Sequence, residues 1–155
     1  MKSEAVTKLE AELDKVLATL LRDSNGNRTT LRIDDPARGW EVNFICAEAL
    51  KPGVKSLRGS GSIDQRAAAT LQWMDKHKKN LIQPDIINNP DPAPPAALMS
   101  AYAATAQMLT PMFNKDGFLQ GWISVHYTDG VHQFTDTEIA ALDRANAEVK
   151  RLTGI

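Results

Sequence analysis

The residues best equipped for chemistry stand on one stretch, Leu119 to Tyr127, which reads LQGWISVHY. A strand points successive side chains to opposite faces. Gln120, Trp122, Ser124 and His126 therefore share one face, and Leu119, Gly121, Ile123, Val125 and Tyr127 the other. The first set is large, partly polar and partly aromatic, and suits the wall of a pocket; the second suits packing on helices. In the pocket set, His126 titrates nearest neutrality and can pair an anion. Trp122 can stack on a planar molecule, and Ser124 can donate or accept a hydrogen bond. Arg32, on an earlier alternating run, offers a fork that binds two carboxylate oxygens at once. Tyr102, Gln107 and Leu109 can close such a cavity from the preceding helix and strand. Each residue also has a plainer reading: His126 bonded to the backbone, Trp122 in the core, Arg32 at the surface.

Other chemistries find less support. The three histidines, His77, His126 and His132, do not stand at ligand spacing with carboxylates, so no metal site is read. Asp136 and Glu138 are explained by a helix cap, and no nucleophile-elbow pattern occurs. Catalysis is therefore not expected. Cys46, the single cysteine, can form no internal disulfide, which fits a reducing compartment. A net charge of −1 and a pI near 6.3 give no electrostatic case for nucleic acid. The basic cluster Lys76-His77-Lys78-Lys79 reads as a solvated helix end. No apolar run approaches the roughly 18 residues of a membrane span, and no signal peptide is read at the start. A cytoplasmic protein with neither nucleic-acid nor membrane partners is the expectation.

The elements that position these residues follow from period and punctuation. At 155 residues one domain over 1–155 is expected. Val6, Leu9, Leu13, Val16, Leu17 and Leu20 make an amphipathic helix over 2–22, ended by Asp23 to Asn27. Thr29 to Asp34 alternates as a strand with Thr30 and Arg32 on one face. Asp35 to Gly39 reads as a turn, and Trp40 to Ala47 as a second strand bearing Val42, Phe44 and Cys46 together. Ser62 to Gln65 has capping-box spacing, which starts a helix running to Lys79-Asn80. Leu81 to Ile87 predicts a short edge strand, because Pro84 cannot donate within a ladder. The proline-rich residues 88–95 form a loop, and 96–104 a short helix. Gln107 to Tyr127 is a hairpin around Asn114-Lys115-Asp116-Gly117, whose Asp-Gly pair tolerates positive φ. Thr135 to Glu138 is a second capping box, with Phe134 stapling onto Ile139, and opens a helix whose stripe is Ile139, Leu142, Ala145, Val149 and Leu152.

This order, with its particular residues, resembles the GAF family of sensory domains. Asn80 to Ile86 followed by Asn89-Pro90-Asp91-Pro92 is similar to the family's edge strand and the loop after it. Met108 to Val125 resembles its two central strands, and Phe134 to Ile139 the entry to its closing helix. The likeness runs from about Met1 to Leu152. Gly121 to His126 also resembles the phytochrome-type strand that ends in a histidine facing the bilin pocket, which implies that His126, Ser124 and Trp122 face the cavity. The cysteine to which such domains attach a bilin has no counterpart, so no cofactor is expected. The catalytic and resolving cysteines of free methionine sulfoxide reductases cannot both be supplied by Cys46. Of the Asn-Lys-Phe-Asp-Glu signature of cyclic-nucleotide-binding GAF domains, only Phe134 and Asp136 resemble remnants.

The resemblance implies an α+β fold: a central antiparallel sheet with the N- and C-terminal helices on one face and a ligand cavity under helix and loops on the other. The implied function is that of a sensor binding a planar or anionic small molecule between the sheet and residues 51–104. The terminal helices would pair with a second copy, and a partner protein would take the signal. The rival reading is an interaction module whose cavity is filled by Trp73, Trp122, Met108 and Met112.

Overall fold

The computed structural model describes residues 2–155; Met1, the start of the resembling stretch, lies outside them. In chain order the elements are α1 (Glu4–Ser24), β1 (Arg28–Ile33), β2 (Ala47–Leu50), α2 (Ala69–His77), β3 (Leu81–Gln83), α3 (Ala96–Tyr102), β4 (Ala106–Phe113), β5 (Leu119–Tyr127) and α4 (Asp136–Thr153). The five strands form one antiparallel sheet in the order β2-β1-β5-β4-β3. This is the α+β architecture that the sequence predicts, with the Gln107–Tyr127 hairpin at its centre.

One sheet face is closed by the terminal helices. Leu13, Leu17 and Leu20 of α1 and Leu142, Ala145 and Val149 of α4 pack on Leu31, Ile33, Met108, Ile123 and Val125. The helix ends are fixed as their sequences require. Ser3 caps α1 by accepting from Val6 N, and Asn25 closes it in the left-handed region at φ 57°. Thr135 and Glu138 form both halves of the capping box on α4, and Phe134 and Ile139 both pack on the core below.

The hairpin turn differs in detail from the predicted one. Gly117 alone has positive φ, at 82°, and its N–H donates to Asn114 O at 3.0 Å. The Asn114 side chain accepts from the Asp116 and Phe118 amides, so the asparagine organises the turn. Just beyond it the register shifts: Met112 faces Gly121, but Phe113 faces Leu119. Gln120 is the extra residue of this bulge, and it turns Leu119 onto the Trp122 side of the sheet rather than the helix side.

Two further predictions are corrected. Trp40 to Cys46 is not a strand; β2 begins only at Ala47. The Asp34 carboxylate accepts from Val42 N, Asp35 and Trp40 pair in an isolated bridge, and Phe44 N donates back to Glu41 O. Such local bonds compete with a ladder and win here. Val42, Phe44 and Cys46 consequently part company, Val42 joining one core, Cys46 the other, while Phe44 is exposed. Nor does Ser62 open a helix. Gln65 N donates to Asn43 Oδ1 instead, a short 3-10 turn spans Gln65–Ala67, and Ala68, extended at ψ 138°, delays α2 to Ala69. The predicted edge strand does form, ending before Pro84.

Candidate functional site

On the sheet face away from the terminal helices, β1 and β5 lie side by side with Arg28 opposite His126, Thr30 opposite Ser124 and Arg32 opposite Trp122. Strand alternation therefore sets Arg28, Thr30, Arg32, Trp122, Ser124 and His126 on a common surface. Gly121 lets β1 approach this closely: a Cβ there would stand 2.5 Å from Arg32 O. Gln107 and Leu109 extend the surface along β4, where they face His126 and Ser124. Over it lie the start of α2, Ile86 and the segment from Pro94 to Ala104.

These parts enclose a small cavity of about 30 Å³. Arg32, Tyr102, Gln107, Leu109, Trp122, Ser124 and His126, all predicted from the sequence, line it together. The sequence reading missed Thr30, Ile86, Met99 and the buried Arg28. Thr30 shares the Arg32 face of the run read from Thr29 to Asp34, whereas Arg28 joins that alternation only when the strand is begun one residue before Thr29. Ile86 and Met99 sit on connecting segments with no period to betray them.

The polar groups of the site are bonded to one another. Arg32 is 4% exposed; its Nη1 donates to Val42 O at 3.0 Å and its Nη2 to the Tyr102 hydroxyl at 2.8 Å. Arg28 is 1% exposed, and its Nε and Nη2 donate to Lys55 O at 3.2 and 2.9 Å. Its Nη1 donates to Tyr102 O at 3.1 Å and lies 3.4 Å from His126 Nδ1. The Tyr102 ring leans on the His126 imidazole at 4.8 Å and sits under the Arg28 guanidinium at 5.4 Å. Gln107 donates to Gln83, which donates to Pro92 O. Arg66 holds the lid to the sheet through the Asp34 carboxylate and Leu119 O, with its guanidinium over Phe118.

Neither Arg28 nor Arg32 has a carboxylate within 4 Å among the described residues. Two buried cations satisfied by neutral oxygens are unusual, because buried charge is ordinarily paired. Burial lowers the Arg28 pKa, against the opposing pull of Glu48 and Tyr102. The same surroundings act on His126: burial first, then the two arginines, push it down to about 3. His126 is therefore neutral rather than poised near neutrality. Because Arg28 can only donate, Nδ1 is the acceptor and Nε2 carries the proton.

The residues named as cavity fillers separate. Trp122 lines the cavity, whereas Met108 and Met112 lie in the helix-side core, and Trp73, on α2, is partly buried with its ring tilted against His77 at 4.5 Å. Cys46 belongs to the helix-side core, where burial pushes its thiol up to about 12, so it offers no thiolate to the cavity. Among the described residues no group of three or more His, Cys, Asp and Glu side chains is arranged to hold a metal. No described helix is long and apolar enough to cross a membrane.

No family model matches the chain, and no curated protein matches its sequence. Solved structures do match its shape. The cyanobacteriochrome receptor PixJ, studied dark and illuminated, superposes with a TM-score of 0.74 at 14% identity, covering 96% of this chain and 97% of that one. The phycoerythrobilin-bound GAF domain of a cyanobacterial phytochrome gives 0.70 at 13% identity, over 95% of this chain and 86% of that one. The GAF domain region of a putative membrane protein from Geobacter sulfurreducens PCA gives 0.68 at 14% identity, over 97% and 95%. At such identities the likeness is one of fold, and the fold is that of a GAF domain.

Proposed function

We propose that residues 1–155 form one sensory GAF-like domain that binds a planar or anionic small molecule on the His126 face of its sheet and passes occupancy to a partner protein. The observation that carries this reading is the pair of buried arginines, Arg28 and Arg32, held by neutral acceptors. An anion placed between them would exchange neutral acceptors for a charged one, and charge-assisted bonds are roughly twice as strong. His126, Ser124 and Gln107 would orient it, and Trp122 would supply an apolar wall. A ligand-binding role is supported by a solved neighbour, the cyanobacterial phytochrome GAF domain that is phycoerythrobilin-bound. The role assigned to the site is binding, with no reaction performed on the ligand.

A thermal-shift screen of the purified chain tests this, run beside His126→Ala and Trp122→Ala. The panel holds small anions, aromatic acids, purines, cyclic nucleotides and tetrapyrroles. A ligand at 100 times its dissociation constant adds about 2.7 kcal/mol, which at this chain length raises Tm by roughly 5–10 °C. The expected result is a hit that both variants lose. Silence across the panel would count against the sensor.

One observation favours a second reading, the interaction module. A 30 Å³ cavity holds about two waters, far below the roughly 300 Å³ of a ligand pocket. In that reading the working surface is the groove of about 680 Å³ between α1 and α4. It is floored by Val16, Leu20, Ala141 and Ala145 and rimmed by charges of both signs, including Glu12, Lys15, Arg144 and Glu148. A rim with charges of both signs can pair with its own copy across a two-fold axis, so the occupant we propose is a second copy of the chain, which light scattering checks.

A further inference from the structure

We infer that the Tyr102 side chain is a built-in occupant of the pocket, and that the ligand is an aromatic acid whose ring and anionic oxygen replace it on His126 and Arg32. This rests on the sensor reading and names the ligand class and the moving part for the same site.

A cavity that accepts even a benzene ring measures about 150 Å³, so 30 Å³ must grow before any planar molecule enters. The sheet side of the cavity cannot supply that space. Arg32, Ser124, His126 and Gln107 stand on paired strands inside a five-stranded sheet. The lid side can. Tyr102 ends α3, a seven-residue helix whose N-cap, Pro95, makes no side-chain bond, and the next residue, Ala103, is left-handed at φ 52°. A helix this short has little stability of its own.

The contacts of Tyr102 are those of a ligand. Its hydroxyl accepts from Arg32 Nη2 at 2.8 Å, its ring rests 4.8 Å from the His126 ring, and the Arg28 guanidinium lies 5.4 Å above it. Three receptor groups thus converge on one aromatic ring with one oxygen. Yet the oxygen is neutral, while the arginine facing it has no carboxylate within 4 Å among the described residues. A carboxylate or phenolate oxygen in the same place would bond Arg32 more strongly than the tyrosine hydroxyl does.

The exchange also explains how occupancy is reported. Tyr102 O accepts from Arg28 Nη1, so the residue ties α3 to the sheet through backbone and side chain together. A ring that takes over the Arg32 and His126 contacts breaks the side-chain tie, and α3 with its flanking segment swings away from β1. A ligand can shift such an equilibrium only by its differential affinity for the two states. Here the open state alone presents the full contact set.

Calorimetric titration of the wild-type chain, Tyr102→Phe and Tyr102→Ala with benzoate and 4-hydroxybenzoate tests the inference. Removing the competitor raises apparent affinity by the factor through which it held the pocket closed. Tyr102→Ala is expected to bind at least tenfold more tightly than wild type, and Tyr102→Phe, which loses only the hydroxyl, by a smaller factor. Arg32→Gln placed in the Tyr102→Ala chain should erase the gain. Tyr102→Phe keeps the ring and so the packing, and it decides the matter should the alanine variant not fold. Equal affinities in the three chains would overturn the displacement while leaving the pocket intact. No binding of either acid to any folded chain, with some other compound still bound on the His126 face, would overturn the aromatic-acid assignment alone. No binding of any compound there would overturn both readings.

Discussion

His126 sits where an imidazole cannot keep a proton, buried and facing two guanidinium groups. In the unfolded chain it takes up a proton near pH 6.5; in the folded chain it stays neutral down to about pH 3. Between those values the unfolded state binds the additional proton, so acid favours unfolding. The contribution of the neutral ring is complete above pH 6.5 and is lost as pH falls toward 3, by at most about 1.4 kcal/mol per unit. His126→Gln removes this dependence and leaves every other titrating group in place. Urea unfolding at pH 7.5 and pH 5 should show the wild type losing up to about 2 kcal/mol more than the variant. Equal losses would contradict the environment described for the ring. Much at this scale is legible in the sequence, because strand alternation alone puts Trp122, Ser124 and His126 on one face. The protonation state is not. It depends on Arg28, which lies 98 residues away in the chain and faces His126 only after β1 and β5 pair.

At the scale of elements, those read correctly carry their own local signals. The Thr135–Glu138 box, the stripe of α1 and the Asn114–Gly117 turn are each fixed by residues within a few positions of one another. The misread ones answer mainly to side chains outside the stretch each was read from. Gln65 is drawn to Asn43, Val42 to Asp34, and the bulge at Gln120 arises where that side chain donates to Asp34 O. Two of these three departures converge on Asp34, and the third, at Gln65, adjoins Arg66, which Asp34 holds, so the irregular backbone lies at the rim of the site. The terminal helices bear the other prediction. Their groove carries Ala147, exposed and close to the apolar floor. Light scattering should report a dimer for the wild type, and Ala147→Arg, which changes nothing buried within one copy, should return it to a monomer. A monomeric wild type at high concentration would remove the helix groove as the contact.

For the molecule as a whole, the sheet divides two tasks. One face, with Leu13, Leu17, Leu142 and Val149 against Ile123 and Val125, is an apolar core that stabilises the chain through burial. The other spends its positions on Arg28, Arg32, Gln107, Ser124 and His126; Arg28 reaches His126, both arginines bond Tyr102 at the end of a short helix, and Gln107 donates to Gln83. Local rules are broken mainly on this second face, as happens where function rather than stability sets the residues. The three histidines report on separate regions: His77 at the end of α2, His132 stacked on Tyr127 at 4.0 Å beside α4, and His126 in the cavity. Their ring-nitrogen resonances, recorded by NMR while the compounds of the thermal-shift panel are added, form the most direct test of where a ligand binds. The His126 signals should move with an aromatic acid while those of His77 and His132 stay in place. A bound compound that leaves His126 unmoved, or a panel that never shifts it, would contradict the claim that this face of the sheet is the ligand-binding face.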